Sequence, residues 1–259
     1  MENWLFLVFG GVFSGILAGI LGIGGGFIIV SLMVALGYPP IQAVATSSLV
    51  IIMSSSTGSF YNWRMGYLDL QRVVYLAIPA IITAPLGAYL AEAIPEYVLL
   101  AIFSCFLLIN IFLIQLRRKI IAREKDSTQT LNPILAKIAT GGIAGFLAGL
   151  LGIGGGTIMV PLQMLLLNEE IKVAVRTSLG VIVTATISST VIHAVQGNVL
   201  FIPGIILGIG GISGTQIGTR VLPNLPNSLV SKIFSVFLAT MAVFNFWQAW
   251  VSYRSTWLG

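Results

Sequence analysis

The sequence predicts an all-α polytopic membrane protein made of two inverted-topology repeats, each a short broken-helix hairpin followed by three transmembrane helices. Three observations carry that prediction. The chain is 57% hydrophobic and 8% charged, with a mean hydropathy of +1.00, whereas soluble domains carry about 25% charged residues. A glycine phrase occurs twice: residues 15–26 read GILAGILGIGGG and residues 145–156 read GFLAGLLGIGGG. The basic residues fall in a pattern that only one topology explains.

The first half, 1–116, holds five apolar segments: Leu5–Leu21, Phe27–Leu36, Ile41–Tyr61, Val73–Ala91 and Val98–Leu116. Residues 117–137 are polar and charged and form a linker. The second half, 138–259, takes its first apolar segment from the end of that stretch. Its five segments are Ile134–Leu151, Thr157–Leu167, Ile171–His193, Leu200–Leu222 and Leu229–Val251. The glycine phrases are offset by 130 positions. Beyond them Ala43-Val44-x-Thr46-Ser47 answers Ala174-Val175-x-Thr177-Ser178, Gly66 answers Gly197, Gly87 answers Gly218 and Pro95 answers Pro226, all at an offset of 131. Self-similarity at one fixed offset marks an internal duplication.

Segment lengths give the topology. Most segments approach the ~20 residues that cross a bilayer. Phe27–Leu36 has ten residues, about 15 Å as a helix and half of a ~30 Å hydrocarbon core. Its repeat Thr157–Leu167 is similarly short, so the first two segments of each half read as a hairpin bent at its glycines. Irregular backbone at that depth survives only when buried in protein or lining a wet cavity. A hairpin plus three spans crosses an odd number of times, which inverts the second half. With the linker in the cytoplasm, Arg64, Arg72, Arg117, Arg118, Lys119, Arg123, Lys125, Lys137, Lys172, Arg176, Arg220 and Lys232 all fall inside. That is 12 of the 13 Lys and Arg, as the positive-inside rule requires. Four crossings per half would leave only 9 of the 13 inside. Both termini are then expected outside the cytoplasm. Trp4, Trp63 and Trp257 near segment ends suit interfacial anchoring.

Several chemistries are disfavoured. The net charge of +5 comes from residues at segment ends, which argues for membrane orientation and against a nucleic-acid partner. There is no G-x-x-x-x-G-K-[ST], and Ile23–Gly26 lacks the βαβ setting of a dinucleotide site. One His and one Cys form no recognisable metal site; Cys105 fills a helix face. No cofactor is expected.

The candidate site grows from the glycines. Gly11, Gly15, Gly19, Gly141, Gly145 and Gly149 have the small-xxx-small spacing of close helix packing. The triplets Gly24-Gly25-Gly26 and Gly154-Gly155-Gly156, the latter followed by Thr157, are suited to turns that leave backbone N–H groups bare at a helix start, an anion site without buried cations. A purely structural bend is the alternative. Thr46, Ser47, Thr177 and Ser178 either cap the third segments or donate to an oxyanion. His193, at the position equivalent to Asn62, either bonds backbone or titrates with substrate or proton. Gln216 faces the same choice between structure and binding. Arg176 is either an orientation signal or an attractor of anions. Asp69, Glu92, Glu96, Glu169 and Glu170 read as solvated span-end groups. Ser188 or Ser189 with His193 is a conceivable intramembrane enzyme pair that lacks a third orienting group.

Two copies of G-x-x-A-G-x-L-G-x-G-G-G, each followed by a short apolar segment and A-V-x-T-S, resemble the TauE/SafE family over about residues 8–250. That family comprises sulfite exporters and related transporters of sulfur-containing organic anions. The resemblance implies a secondary transporter, not an enzyme, in a bacterial inner membrane, exporting sulfite or an organosulfonate. Its motif falls on Gly22–Gly26, Gly152–Gly156, Thr46-Ser47 and Thr177-Ser178. Another small anion, or a divalent metal, is the alternative cargo. The expected partners are the anion and the lipid bilayer; a homo-oligomer is consistent with this reading.

Overall fold

The computed structural model describes residues 4–95, 132–257 and, between them, 97–99, 101–102, 105–106 and 109. Among the described residues every regular element is a helix. They are α1 (Trp4–Leu21), α2 (Gly26–Ala35), α3 (Pro40–Arg64), α4 (Leu70–Ala93), α5 (Pro133–Leu151), α6 (Gly156–Leu166), α7 (Ile171–Val195), α8 (Phe201–Val221), a 3₁₀ turn (Leu222–Asn224) and α9 (Asn227–Trp257). Each matches an expected segment to within a few residues at most ends. The expected span Val98–Leu116 and most of the linker lie largely outside the described residues. Six helices, α1, α3, α4, α5, α7 and α8, are long and apolar enough to cross a membrane, whereas α2 and α6 are too short.

Local chemistry sets the ends. Asp69 caps α4, accepting from the Gln71 N–H at 3.0 Å and the Arg72 N–H at 3.2 Å. Asn132 caps α5 through the Ile134 N–H at 3.0 Å, with Pro133 in the first turn, where its missing N–H costs nothing. In α4 the large residues Ile78, Ile82, Leu86 and Tyr89 face outward, while Ala77, Ala80, Ala84, Gly87, Ala88 and Ala91 face inward. Large apolar side chains outside and small ones inside is the arrangement of a helix that meets lipid on one face and a helix backbone on the other.

The first helix of each half packs mainly on the fourth helix of the other half: α1 on α8, and α5 on α4. A Cβ added at Gly11 would overlap Leu207 O, one at Gly15 Gly211 O, and one at Gly19 would come within 2.8 Å of Thr215 O. In the other pair Gly141 meets Leu76 O, Gly145 Ala80 O and Gly149 Ala84 O. The six glycines expected to mediate close packing do so, each against backbone. The rising register means that α1 and α8 run in one direction along each other, as do α5 and α4. Gly204 faces Leu49 and Gly208 faces Met53, so α8 also runs with α3. The tight turns after α3 and α7 reverse the chain. Hence α1, α3 and α8 point one way and α4, α5 and α7 the other. α3 and α7, the most extensively buried of the long helices, cross at the centre.

Candidate central site

The two glycine bends meet between α3 and α7. Gly22, Gly24 and Gly25 have φ of +68°, +74° and +86°, and Gly152, Gly154 and Gly155 have +62°, +76° and +71°. Such angles suit glycine and strain other residues. They turn the chain sharply, so α2 doubles back along α1: Ser14 Oγ donates to Gly25 O at 2.7 Å, and Gly10 packs against Leu32. The bends stand back to back. A Cβ at Gly26 would lie 2.6 Å from Gly152 O and 2.7 Å from Ile153 Cα, and one at Gly156 would overlap Gly22 O and lie 2.9 Å from Ile23 Cα. Gly24 and Gly154 both face Ile51 and Ile182, near the midpoints of the two 25-residue helices α3 and α7.

Side-chain hydroxyls lock this arrangement reciprocally. Ser178 Oγ donates to Gly22 O at 2.8 Å and Ser47 Oγ donates to Gly152 O. Each hydroxyl also lies within reach of a carbonyl of its own helix, Val175 O at 2.9 Å and Val44 O at 2.8 Å. Thr46 Oγ1 accepts from the Leu200 N–H at 3.0 Å, and Thr177 is buried. None of these four caps a helix, because α3 and α7 begin six or seven residues earlier, after Pro39 and Glu170. The single proton of each serine is directed at carbonyl oxygen.

Other polar atoms are buried without a hydrogen-bond partner: Thr157 Oγ1, Ser55 Oγ, both amide atoms of Asn62, and His193 Nδ1. Thr157 and Ser55 belong to the central group. Thr157 follows Gly156 in the first turn of α6, and a Cβ at Gly24 would lie 3.3 Å from Ser55 Oγ. Asn62 and His193 do not belong to it. Each lies 11 residues beyond Ile51 or Ile182, about 16 Å along its helix. Because α3 and α7 are antiparallel, the two residues sit at opposite ends of the molecule. His193 Nε2 lies 3.2 Å from Gly149 O, the backbone partnership that was one of its two expected roles. Gln216 is half-buried on α8. Sequence reasoning missed Ser14, Ser54, whose Oγ donates to Gly24 O at 3.0 Å, and Ser55. The available signal was the Ser54-Ser55-Ser56 run inside an apolar segment.

The conceivable enzyme pair is not formed: Ser188 Oγ donates to Ile81 O at 3.1 Å and Ser189 Oγ to Thr186 O at 3.2 Å. Asp69 and Glu169, expected to be solvated, are tied to Arg72, at 2.8 Å and 2.5 Å. Lys172 Nζ donates to Pro223 O at 3.0 Å. Arg220 reaches Tyr61 Oη at 3.4 Å. Arg176 stacks its guanidinium on Tyr67, 3.9 Å from the ring centroid, with Nε unpartnered. Among the described residues no group of three or more His, Cys, Asp or Glu is placed to hold a metal ion.

Among the described residues, six membrane-length helices packed with two half-length helices that start at the centre define a polytopic membrane protein. The chain belongs to the sulfite exporter TauE/SafE family, whose sequence model matches residues 7–245. It is 26% identical over 258 residues to the probable membrane transporter protein YunE of Bacillus subtilis (strain 168), covering 91% of this chain and 94% of that one. It is 25% identical over 244 residues to YjnA of the same organism, also named a probable membrane transporter protein, covering 89% and 95%. The probable membrane transporter protein MJ0441 of Methanocaldococcus jannaschii is 25% identical over 254 residues, covering 92% and 93%. No solved structure matches the chain.

Proposed function

We propose that this protein is a secondary transporter of a bacterial inner membrane, exporting sulfite or an organosulfonate by alternating access between two inverted halves. The observation that carries the reading is the central meeting of the bends. Two half-length helices start back to back at the midpoints of α3 and α7, where a transporter built from repeats places its substrate. Helix directions support inversion, since α1 opposes α5, α3 opposes α7 and α4 opposes α8. Family membership supports the cargo class. The first-turn N–H groups after Gly24–Gly26 and Gly154–Gly156 carry the positive helix end and suit an anion. Thr157 adds a hydroxyl with no protein partner. Ser47 and Ser178 hold the two bends together, so their contribution to binding is positional. Asn62 and His193, buried at opposite ends, would meet the anion only as each end opens. An inside-negative potential drives anion exit by about 2.3 kcal/mol per charge per 100 mV, so no coupling ion is required.

The test is flux in proteoliposomes under an imposed sulfite gradient, with and without a potassium-diffusion potential. Saturable sulfite flux is expected, accelerated by a potential that favours anion movement and competed by thiosulfate or sulfonates. Flux of a metal ion with no effect of any sulfur oxyanion would overturn the reading.

A further inference from the structure

We propose that Asn62 and Arg176 form an anion-capture subsite at the C-terminal end of α3, in the mouth leading to the central site. This rests on the reading of the cargo as an anion. Asn62 is fully buried, at 0% exposure, yet neither its amide nitrogen nor its amide oxygen has a partner. A buried amide in that state is destabilising unless a ligand completes it. Arg176 offers the complementary charge. Its Nε is buried and unpartnered; of the carboxylates at that end of the molecule, Asp69 and Glu169 are held by Arg72 and Glu170 accepts from Asn227 Nδ2 at 3.4 Å.

Two independent contacts bring the residues to one place. The Tyr67 N–H donates to the backbone carbonyl of Asn62 at 2.9 Å, in the turn that follows α3, and the Tyr67 ring carries the Arg176 guanidinium. Across the central pair, a Cβ at Gly58 would lie 3.1 Å from Leu179 Cδ1. One further turn along the antiparallel helices carries α3 from Gly58 to Asn62 and α7 from Leu179 back to Arg176. The Tyr67 face holds the guanidinium plane, and Nε is left without a partner. A guanidinium edge and an amide NH₂ converging on one ligand would present planar donors to oxygen, which matches an oxyanion better than a halide or a cation.

The repeat breaks its symmetry here. The position equivalent to Arg176 is Ala45, and that equivalent to Asn62 is His193. Capture by guanidinium is therefore built into one mouth alone. This is also the end that carries Arg64, Arg72, Lys172 and Arg220, the end expected to face the cytoplasm. Export would begin there.

The test measures stabilisation of the full-length protein in lipid nanodiscs, as unfolding temperature against the concentration of sulfite, sulfate, thiosulfate, phosphate or chloride. The oxyanion half-saturation concentration is expected to rise about tenfold or more in Arg176→Gln and Asn62→Leu. Arg176→Lys, which keeps charge and length but loses the fork, is expected to fall between. Chloride should act weakly in all. Unchanged half-saturation in the variants while wild type binds sulfite would overturn the subsite and leave the transport reading standing. Loss in the variants of binding to another oxyanion, with no sulfite binding in wild type, would uphold the subsite and overturn the cargo. No oxyanion effect on wild type would overturn the subsite. Where Arg176→Gln does not fold, Arg176→Lys decides: half-saturation about threefold higher supports the subsite, and an unchanged value overturns it.

Discussion

Ser178 donates its hydroxyl proton to the carbonyl of Gly22, 2.8 Å away and 156 residues earlier in the chain. Ser47 does the same for Gly152 in the opposite half. Each half thus ties down the other's bend, at the first glycine of the break. Removing either hydroxyl leaves a buried carbonyl with one partner fewer.

Ser178→Ala and Ser47→Ala are each expected to lower stability by about 1–2 kcal/mol, the cost of a buried hydrogen bond whose acceptor stays behind. The check is thermal or denaturant unfolding in detergent. Matching losses would support equivalent roles. A loss confined to one variant would count against the reciprocal lock.

Gly145→Ala and Gly37→Ala separate close packing from backbone conformation. Alanine favours a helix over glycine by about 1 kcal/mol, yet at Gly145 its Cβ would lie 2.5 Å from Ala80 Cα. Net destabilisation of about 2 kcal/mol is expected from overpacking the α4–α5 contact. Gly37 has φ +87° with no atom within 4 Å of an added Cβ, so only the conformational strain applies, about 1 kcal/mol. A Gly145→Ala protein as stable as wild type would refute the packing account.

Thr157→Val should separate stability from transport. The Thr157 hydroxyl is buried without a protein partner, so an isosteric methyl should leave stability unchanged or raise it by about 1 kcal/mol. Sulfite flux should nevertheless fall about tenfold or more, because an unsatisfied donor facing the bends is spent on the substrate. Glycine variants cannot make this distinction. At Gly25 an added Cβ overlaps Ser14 Oγ and at Gly155 it overlaps Ala144 O, so either would disturb the bend whatever binds there.

Glu169→Gln should matter little. The Arg72–Glu169 pair joins α4 to the turn before α7, but its side chains are 42% and 22% exposed. Such pairs contribute about 0–1 kcal/mol, less at high salt. Unfolding in low and high salt checks this; a loss of several kcal/mol would mean the pair closes the molecule.

Inversion is testable by accessibility. In a Cys105→Ser background, Met65→Cys and Gln196→Cys occupy equivalent turns after α3 and α7. An impermeant thiol reagent should label residue 196 from outside the cell and residue 65 only after permeabilisation. Labelling of both from one side would exclude inverted halves.

Much of the backbone course was legible because it rests on local signals. Phe27–Leu36 and Thr157–Leu167 were marked as half-length by the glycines before them, and the helices run Gly26–Ala35 and Gly156–Leu166. The hydroxyls were less legible. Ser47 and Ser178 were visible as a repeated pair, but capping and anion binding both suited them. Neither could be preferred without knowing that the carbonyls of Gly152 and Gly22 lie beside them. Asn62 and His193 read as one paired position, and the antiparallel crossing of α3 and α7 sends them to opposite ends.

The sequence by itself determined that this chain lives in a membrane, that it is duplicated, and where its helices break. Apolar run length, a constant repeat offset and glycine triplets are all properties of neighbouring residues. Only the tertiary structure decided that α1 pairs with α8 and α5 with α4, that the two bends touch, and that Tyr67 links the end of α3 to Arg176 on α7. In lipid no hydrophobic gradient selects one helix partner over another. Selection falls to backbone fit at small residues and to hydrogen bonds such as that from Ser178 to Gly22, which join positions too far apart in the chain for any local pattern to record.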